Sequence, residues 1–276
     1  MSSEKAEYNF CHQGIVNSKQ VLMPHVAIFG VGSIGGIVAG SLLSARKCQS
    51  VSLIARGRAY QALSNTGLKL KTFEGQKYHF DHKQYHLYNS DTDNKTSHPL
   101  DYILVCTKAH QLPAIAEKIN ALISPKTIVI PCTNGLPFWF HTGLKSTDPN
   151  GILTKAMPMN HLLGSVGMIS GSVKSDYSQW ETNWPAERNT LLLGRPNVND
   201  NNDAVNNNGR AQQLADLFQG SQVHVKVDVC QSTDPQQIRD RIFDKLLINC
   251  AINTIGALGR VNCGETCEPN SSSEKL

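Results

Sequence analysis

The sequence predicts an α/β protein: a doubly wound parallel sheet first, then an all-helical second domain. Three observations predict it. Short β-branched runs alternate with helical patterns through residues 24–230, as a parallel sheet with crossover helices requires. The first run ends in a glycine-rich turn that opens a helix, Gly30-x-Gly32-x-x-Gly35. Near the end of the chain, an apolar helical pattern over 235–258 carries Lys245, Asn249 and Asn253 at four-residue spacing.

The elements follow in order. Residues 1–23 read as a polar extension. Val26–Phe29 is a short buried strand and Ser33–Arg46 a helix of small and apolar residues. Strands follow at Val51–Ala55, Tyr102–Cys106 and Ile128–Ile130, the last two separated by a helix over Leu112–Ile123. Residues 152–194 turn to Gly-, Ser- and Val-rich alternation, which suits antiparallel strands at a sheet edge. The asparagine-rich stretch 197–208 reads as a surface loop insertion, because Asn and Asp favour turns. A helix over Ala211–Phe218 and a strand over Val223–Val227 close the first domain, 24–230. The second domain, 234–276, opens with Asp234 as N-cap, Pro235 at the first helical position and Gln237 resembling a capping box. Its helix stops at Gly259.

Composition bounds the function. At 276 residues the chain holds one large or two modest domains, at roughly 100–200 residues each. A net charge of +4, without clustered Lys or Arg, argues against a nucleic-acid partner. No apolar run approaches the ~20 residues of a membrane span. The first twenty residues hold acidic side chains, no apolar core and no Arg, so neither a secretory signal nor a mitochondrial presequence is expected. Eight cysteines without a CxxC pair suggest reduced thiols in the cytoplasm.

The glycine turn has the context of a dinucleotide site in a Rossmann-type fold. Gly30 permits the tight turn and Gly32 lets the backbone approach a pyrophosphate. Gly35 allows close helix–strand packing, while Ser33 and Ile34 begin the helix whose N-terminus faces the anion. At the end of the second strand, where NAD-binding folds place an acid, the chain has Ala55-Arg56-Gly57-Arg58. A guanidinium there can clamp the 2′-phosphate of NADP(H); the other reading is a solvated basic loop.

Lys245, Asn249 and Asn253 share one face of a helix that is apolar almost all round, which predicts burial. Two readings stand. In a polar cleft, Lys245 would protonate a carbonyl oxygen as hydride arrives, and the amides would bind the substrate. Alternatively, the helix is partly exposed and the lysine snorkels to water. Val105-Cys106-Thr107-Lys108-Ala109-His110-Gln111 and Thr133-Asn134-Gly135 follow core strands at their carboxyl ends, where doubly wound sheets bind ligands.

At these residues the chain resembles the ketopantoate reductase (2-dehydropantoate 2-reductase) family. The glycine turn, Arg56, Lys108 with Gln111, Asn134-Gly135 and the Lys245/Asn249/Asn253 helix stand in the family's order, from about Val26 to Leu258. The resemblance implies NADPH-dependent reduction of a 2-keto acid to its 2-hydroxy acid in pantothenate synthesis. It implies Lys245 as general acid, with Asn249 and Asn253 on the substrate and Asn134 near nicotinamide and substrate. Arg56 and Gln111 would lie near the adenosine 2′-phosphate and Lys108 along the cleft. It also implies that the helical domain is truncated, without the family's later Ser and Glu that hold substrate. Two other readings therefore stay open: a non-catalytic NADP-binding remnant, or a reductase of a different 2-keto acid. An apolar helix lacking its later partners is expected to drive self-association.

No metal site is expected. His79-x-x-His82-x-x-x-His86 falls where the family has a β-hairpin, so its rings would diverge, and Cys263-x-x-x-Cys267 lacks partner ligands.

Overall fold

The structure, a computed structural model, describes residues 23–141, 143–196, 204–223, 225–230 and 236–261. The described residues begin with β1 (His25–Phe29), α1 (Ser33–Ala45), β2 (Ser50–Ala55), α2 (Gly57–Thr66), β3 (Leu68–Lys71), β4 (Lys77–Phe80) and β5 (His86–Asn89). They continue through β6 (Tyr102–Val105), α3 (Leu112–Asn120), β7 (Ile128–Pro131), α4 (Ile152–Ala156) and β8 (Gly164–Met168). Then come β9 (Gly171–Val173), β10 (Trp180–Thr182), β11 (Thr190–Gly194), α5 (Ala204–Asp216), β12 (Lys226–Val229) and α6 (Gln236–Gly259).

The central sheet is parallel throughout, in the order β5-β2-β1-β6-β7. Its strands are apolar on both faces because both faces are covered. Val26, Ile28, Leu53, Leu104 and Ile130 face one core. Ala27, Phe29, Ile54, Ile103 and Val129 face the other. Phe29 pairs with Val105, and Val105 with Pro131. Two further bonds extend the ladder by one residue, Cys106 N to Phe29 O at 2.8 Å and Cys132 N to Val105 O at 2.9 Å. The carboxyl ends of β1, β6 and β7 are therefore flush. The strand order reverses direction between β1 and β6, which is where doubly wound sheets open a ligand crevice.

A second sheet, β4-β3-β10-β9, lies on α1. Close approach requires glycine on both sides. A Cβ on Gly36 would fall 2.1 Å from Trp180 Cδ1, one on Gly171 2.0 Å from Ile37 Cδ1, and one on Gly40 2.9 Å from Leu70 Cδ1. Trp180 is fully buried, yet its indole nitrogen donates to Gly32 O at 3.0 Å. A buried indole that finds such a partner loses nothing on burial. The third sheet, β12-β11-β8, supports the other end.

Four expectations need correction. Residues 152–194 do supply antiparallel pairs, β9 with β10 and β8 with β11, but in two separate sheets rather than at the central edge. Ile152–Ala156 is helical because Asp148 caps it, accepting from Leu153 N at 2.7 Å, Thr154 N at 3.1 Å and Thr154 Oγ1 at 2.6 Å. Residues 204–208 of the expected loop form the start of α5; residues 197–203 lie outside the described ones. Buried Ala211, Leu214 and Ala215 anchor that helix, and tertiary burial overrides the weak helix propensity of Asn. The last strand is Lys226–Val229 rather than Val223–Val227, because pairing with β11 begins at Thr190–Lys226.

The fourth correction concerns α6. It is largely exposed: Ile238, Ile242 and Gly256 are its buried residues, while Leu247 is 69% and Leu258 73% exposed. It docks on β8 and β11. Ile238 sits over two glycines, where a Cβ on Gly164 would lie 3.2 Å and one on Gly194 2.7 Å from its side chain. By length and composition alone, α6 is one helix apolar enough to cross a membrane. The Asp234–Pro235 cap lies outside the described residues.

Gly36→Ala tests the close approach of α1 to the second sheet. The buried indole cannot give way cheaply, so overpacking is expected to cost about 1–3 kcal/mol. Urea unfolding should show a lower midpoint for the variant. Gly75→Ala is the control: its Cβ would meet nothing within 4 Å, although its φ is +88°, so the cost there is backbone strain alone.

Candidate active site

The flush ends of β1, β6 and β7 form the floor of a cleft of about 530 Å³, a size typical of cofactor pockets. Gly30 turns the chain at φ +93°, and a Cβ there would lie 2.6 Å from Thr107 Cγ2. Gly35 is buried behind it; a side chain there would displace the Gly30 carbonyl. Gly32 is the opposite case: nothing lies within 4 Å of where its Cβ would be, so its backbone faces the open cleft. It is also the N-cap of α1, which has no side-chain cap and no acid in its first turn. The free N–H groups of Ser33 and Ile34 and the positive end of the helix dipole are thus left for an anion. Thr107 adds a buried hydroxyl without a hydrogen-bond partner among the described residues. These features fit a dinucleotide.

The basic side chains stand along the same cleft. Arg56 is the residue before α2, with extended backbone, exposed and on the cleft wall with Ala55 and Ala59. Lys108 and Gln111 also line it. The Gln111 side chain is partly engaged, since Lys108 N donates to its Oε1 at 3.1 Å. Cys106 and Cys132 meet on the cleft floor; the hydrogen bond with the Cys132 thiol, and then burial, hold the Cys106 pKa well above the ordinary thiol range.

The other half of the site lies where α6 crosses β8. Lys245 is half-buried and its ammonium points into the protein. It donates to Asn134 Oδ1 at 2.6 Å and to the Gly167 carbonyl. The snorkelling alternative does not describe it. Asn134 reaches this contact because Gly135, at φ +92°, turns the chain sharply after β7. Burial lowers the Lys245 pKa, and the neighbouring Cys132 opposes the shift. A small cavity of about 10 Å³ separates Thr133, Asn134 and Ser165 from Lys245 and Asn249, so α6 sits closed against the sheet.

The structure therefore brings Gly30, Gly32, Ser33, Ile34, Arg56, Lys108, Gln111 and Asn134 to one cleft. It brings Lys245 and Asn249 to Asn134 at the foot of that cleft. Asn253 lies two turns further along α6, exposed and outside both cavities. Sequence reasoning missed the Gly167 carbonyl and Tyr177, which both reach the site from the strands after residue 160. Neither carries a local motif. The three histidines go to different neighbours: His79 in β4 has Nε2 2.8 Å from Thr66 O, His82 packs edge-to-face with Tyr85, and His86, in β5 of the central sheet, packs edge-to-face with His98.

Comparison with known proteins agrees with this geometry. A sequence model of the ketopantoate reductase PanE/ApbA family matches residues 26–184. A 2-dehydropantoate 2-reductase of Mesorhizobium japonicum is 27% identical over 242 residues, covering 84% of this chain and 66% of its own length. The chain thus spans just under two thirds of that relative. A protein of Ralstonia solanacearum described as a ketopantoate reductase superposes with a TM-score of 0.69 at 25% identity, covering 86% of this chain and 68% of its own. A D-mandelate dehydrogenase, solved with NADH and anilino(oxo)acetate, shares the fold with a TM-score of 0.62 at 19% identity, covering 87% and 69% of the two chains. The fold is Rossmann-like with a C-terminal helical region, and the chain belongs to the ketopantoate reductase family.

Proposed function

We propose that the chain is an NADPH-dependent reductase that converts ketopantoate to pantoate, as a step in pantothenate and coenzyme A synthesis. One observation carries this reading. The Lys245 ammonium is drawn to Asn134 and the Gly167 carbonyl at the foot of the dinucleotide cleft. An ammonium held by two neutral oxygens keeps its proton to give. A bound NADPH supplies the hydride. Gly32, Ser33 and Ile34 would hold its pyrophosphate, Arg56 and Gln111 would hold its adenosine 2′-phosphate, and Lys108 would line the cleft between cofactor and substrate. Lys245 Nζ then passes a proton to the keto oxygen, and Asn134, released from Lys245, orients the substrate with Asn249. Asn253 would bind the substrate's far end. Its exposed position favours a second reading, reduction of a different 2-keto acid. The paired Cys106 and Cys132 thiols suit the reducing cytoplasm.

Lys245→Ala should lower kcat for ketopantoate by ~10²–10⁴, the range of a positioned acid, while NADPH still binds; near-normal turnover would remove the lysine from the mechanism. The pH profile checks the same group. Its pKa is lowered from the ordinary 10.5, and the protonated form is the active one. Activity should therefore fall as pH rises through a pKa below 10.5, earlier than for an exposed lysine. A flat rate between pH 7 and pH 10.5 would contradict this.

Arg56→Ala should weaken NADPH binding about 10–100-fold, the loss expected of a hydrogen bond to a charged group, and leave NADH nearly unchanged. Fluorescence titration with both cofactors reads this directly; equal losses would deny the arginine its part in phosphate selection.

The exposed apolar residues of α6, Phe243, Leu247, Ile248, Ile255 and Leu258, make self-association the expected state of the isolated chain. Sedimentation at micromolar concentration should show a dimer or larger species. A monomer would mean that another part of the chain covers the helix.

A further inference from the structure

The turn 174–178 joins β9 to β10 and overhangs the glycine turn. Tyr177 in it adopts φ +57°, a conformation that costs free energy for a bulky side chain. The other described non-glycine residues with positive φ are Arg46, Asn150 and Arg260. Arg46 and Arg260 end helices, and Asn tolerates this region. Tyr177 has neither reason. Its backbone is held there by Tyr177 N donating to Lys174 O at 2.8 Å, and by Lys174 N donating to Gln179 O at 3.0 Å.

The conformation brings the ring to the cleft. It lines the same wall as Gly32, Ile34, Arg56 and Ala59. It packs against Trp180 with ring centroids 5.9 Å apart at 63°, and Trp180 in turn is bonded to Gly32 O. The ring's position is thus tied to the turn that receives the pyrophosphate. Its phenol hydroxyl is a free donor: no hydrogen bond to it is formed among the described residues.

Building on the dinucleotide reading above, we propose that Tyr177 is a cofactor-binding residue. Its hydroxyl donates to the phosphate oxygens of the adenosine half, and its ring walls that half from water. Local strain places a donor where the anion arrives.

Tyr177→Phe removes only the hydroxyl, which bonds to nothing else among the described residues. Its thermal midpoint should equal that of the unaltered chain. Its NADPH Kd, read by fluorescence titration, should rise about tenfold, the loss of one hydrogen bond to a charged oxygen. With 2′-phospho-ADP-ribose as probe the same loss is expected, and with nicotinamide mononucleotide none. Tyr177→Gly, whose backbone suits the positive φ, should lose more NADPH affinity than Phe because the ring is also gone. A Phe variant binding NADPH within threefold of the unaltered chain would overturn the proposal, as would an equal loss for both half-cofactors. If the unaltered chain binds no dinucleotide, the functional reading fails, and this proposal with it.

Discussion

Helix α1 is held between two sheets with almost no side-chain volume to spare, and the rest of the molecule is arranged around that constraint. Gly35, Gly36 and Gly40 are absences of atoms that let the Gly30 carbonyl, the Trp180 ring and Leu70 come close. With no side chain between them, the N-terminus of α1 lies directly beneath the glycine turn. Trp180 fixes the turn from the other side through Gly32 O. The helix end that faces the cleft therefore does not float on a loop; it is clamped by two layers. The cleft lies where it does because the strand order reverses beside β1, and because β6 and β7 end flush with it.

The second organising contact is polar. Lys245 joins α6 to the sheet through Asn134 and Gly167, and Ile238 joins it through Gly164 and Gly194. Burying an ammonium costs free energy unless it is hydrogen-bonded, so the two oxygens account for its orientation. The same desolvation lowers its pKa, which makes it a better proton donor than an exposed lysine. Positioning and acidity thus have one cause. Further along α6, Leu247, Ile248, Ile255 and Leu258 remain exposed.

Much of this was legible in the sequence where the signal was local. The central strands are continuous β-branched runs because both of their faces are buried. The Gly30–Gly35 turn announces itself by spacing, and Arg56 stands where an acid would otherwise be. Lys245 and Asn249 were legible from helix periodicity together with the family resemblance, although periodicity alone left the direction of the ammonium open. What stayed hidden was non-local. The pairing of β3 with β10 joins Leu70 to Trp180, and no pattern at either strand shows it. Tyr177 reaches the cleft only through that pairing. The helical start of α5 was hidden because Asn reads as turn, whereas the burial of Ala211, Leu214 and Ala215 decides the matter. The apolar periodicity of α6 pointed to burial, because it records what a helix can bury; its exposure was legible only from the expected lack of later partner helices.

The most direct measurement is a crystal structure of the chain with NADP⁺ and pantoate. The Lys245 assignment predicts the pantoate hydroxyl within ~2.7–3.2 Å of Lys245 Nζ. Asn134 would then have turned from the lysine to the ligand, with the nicotinamide on the opposite side of the reacting carbon. A pantoate bound with its hydroxyl away from Lys245, while Lys245 remains on Asn134 and Gly167, would contradict it.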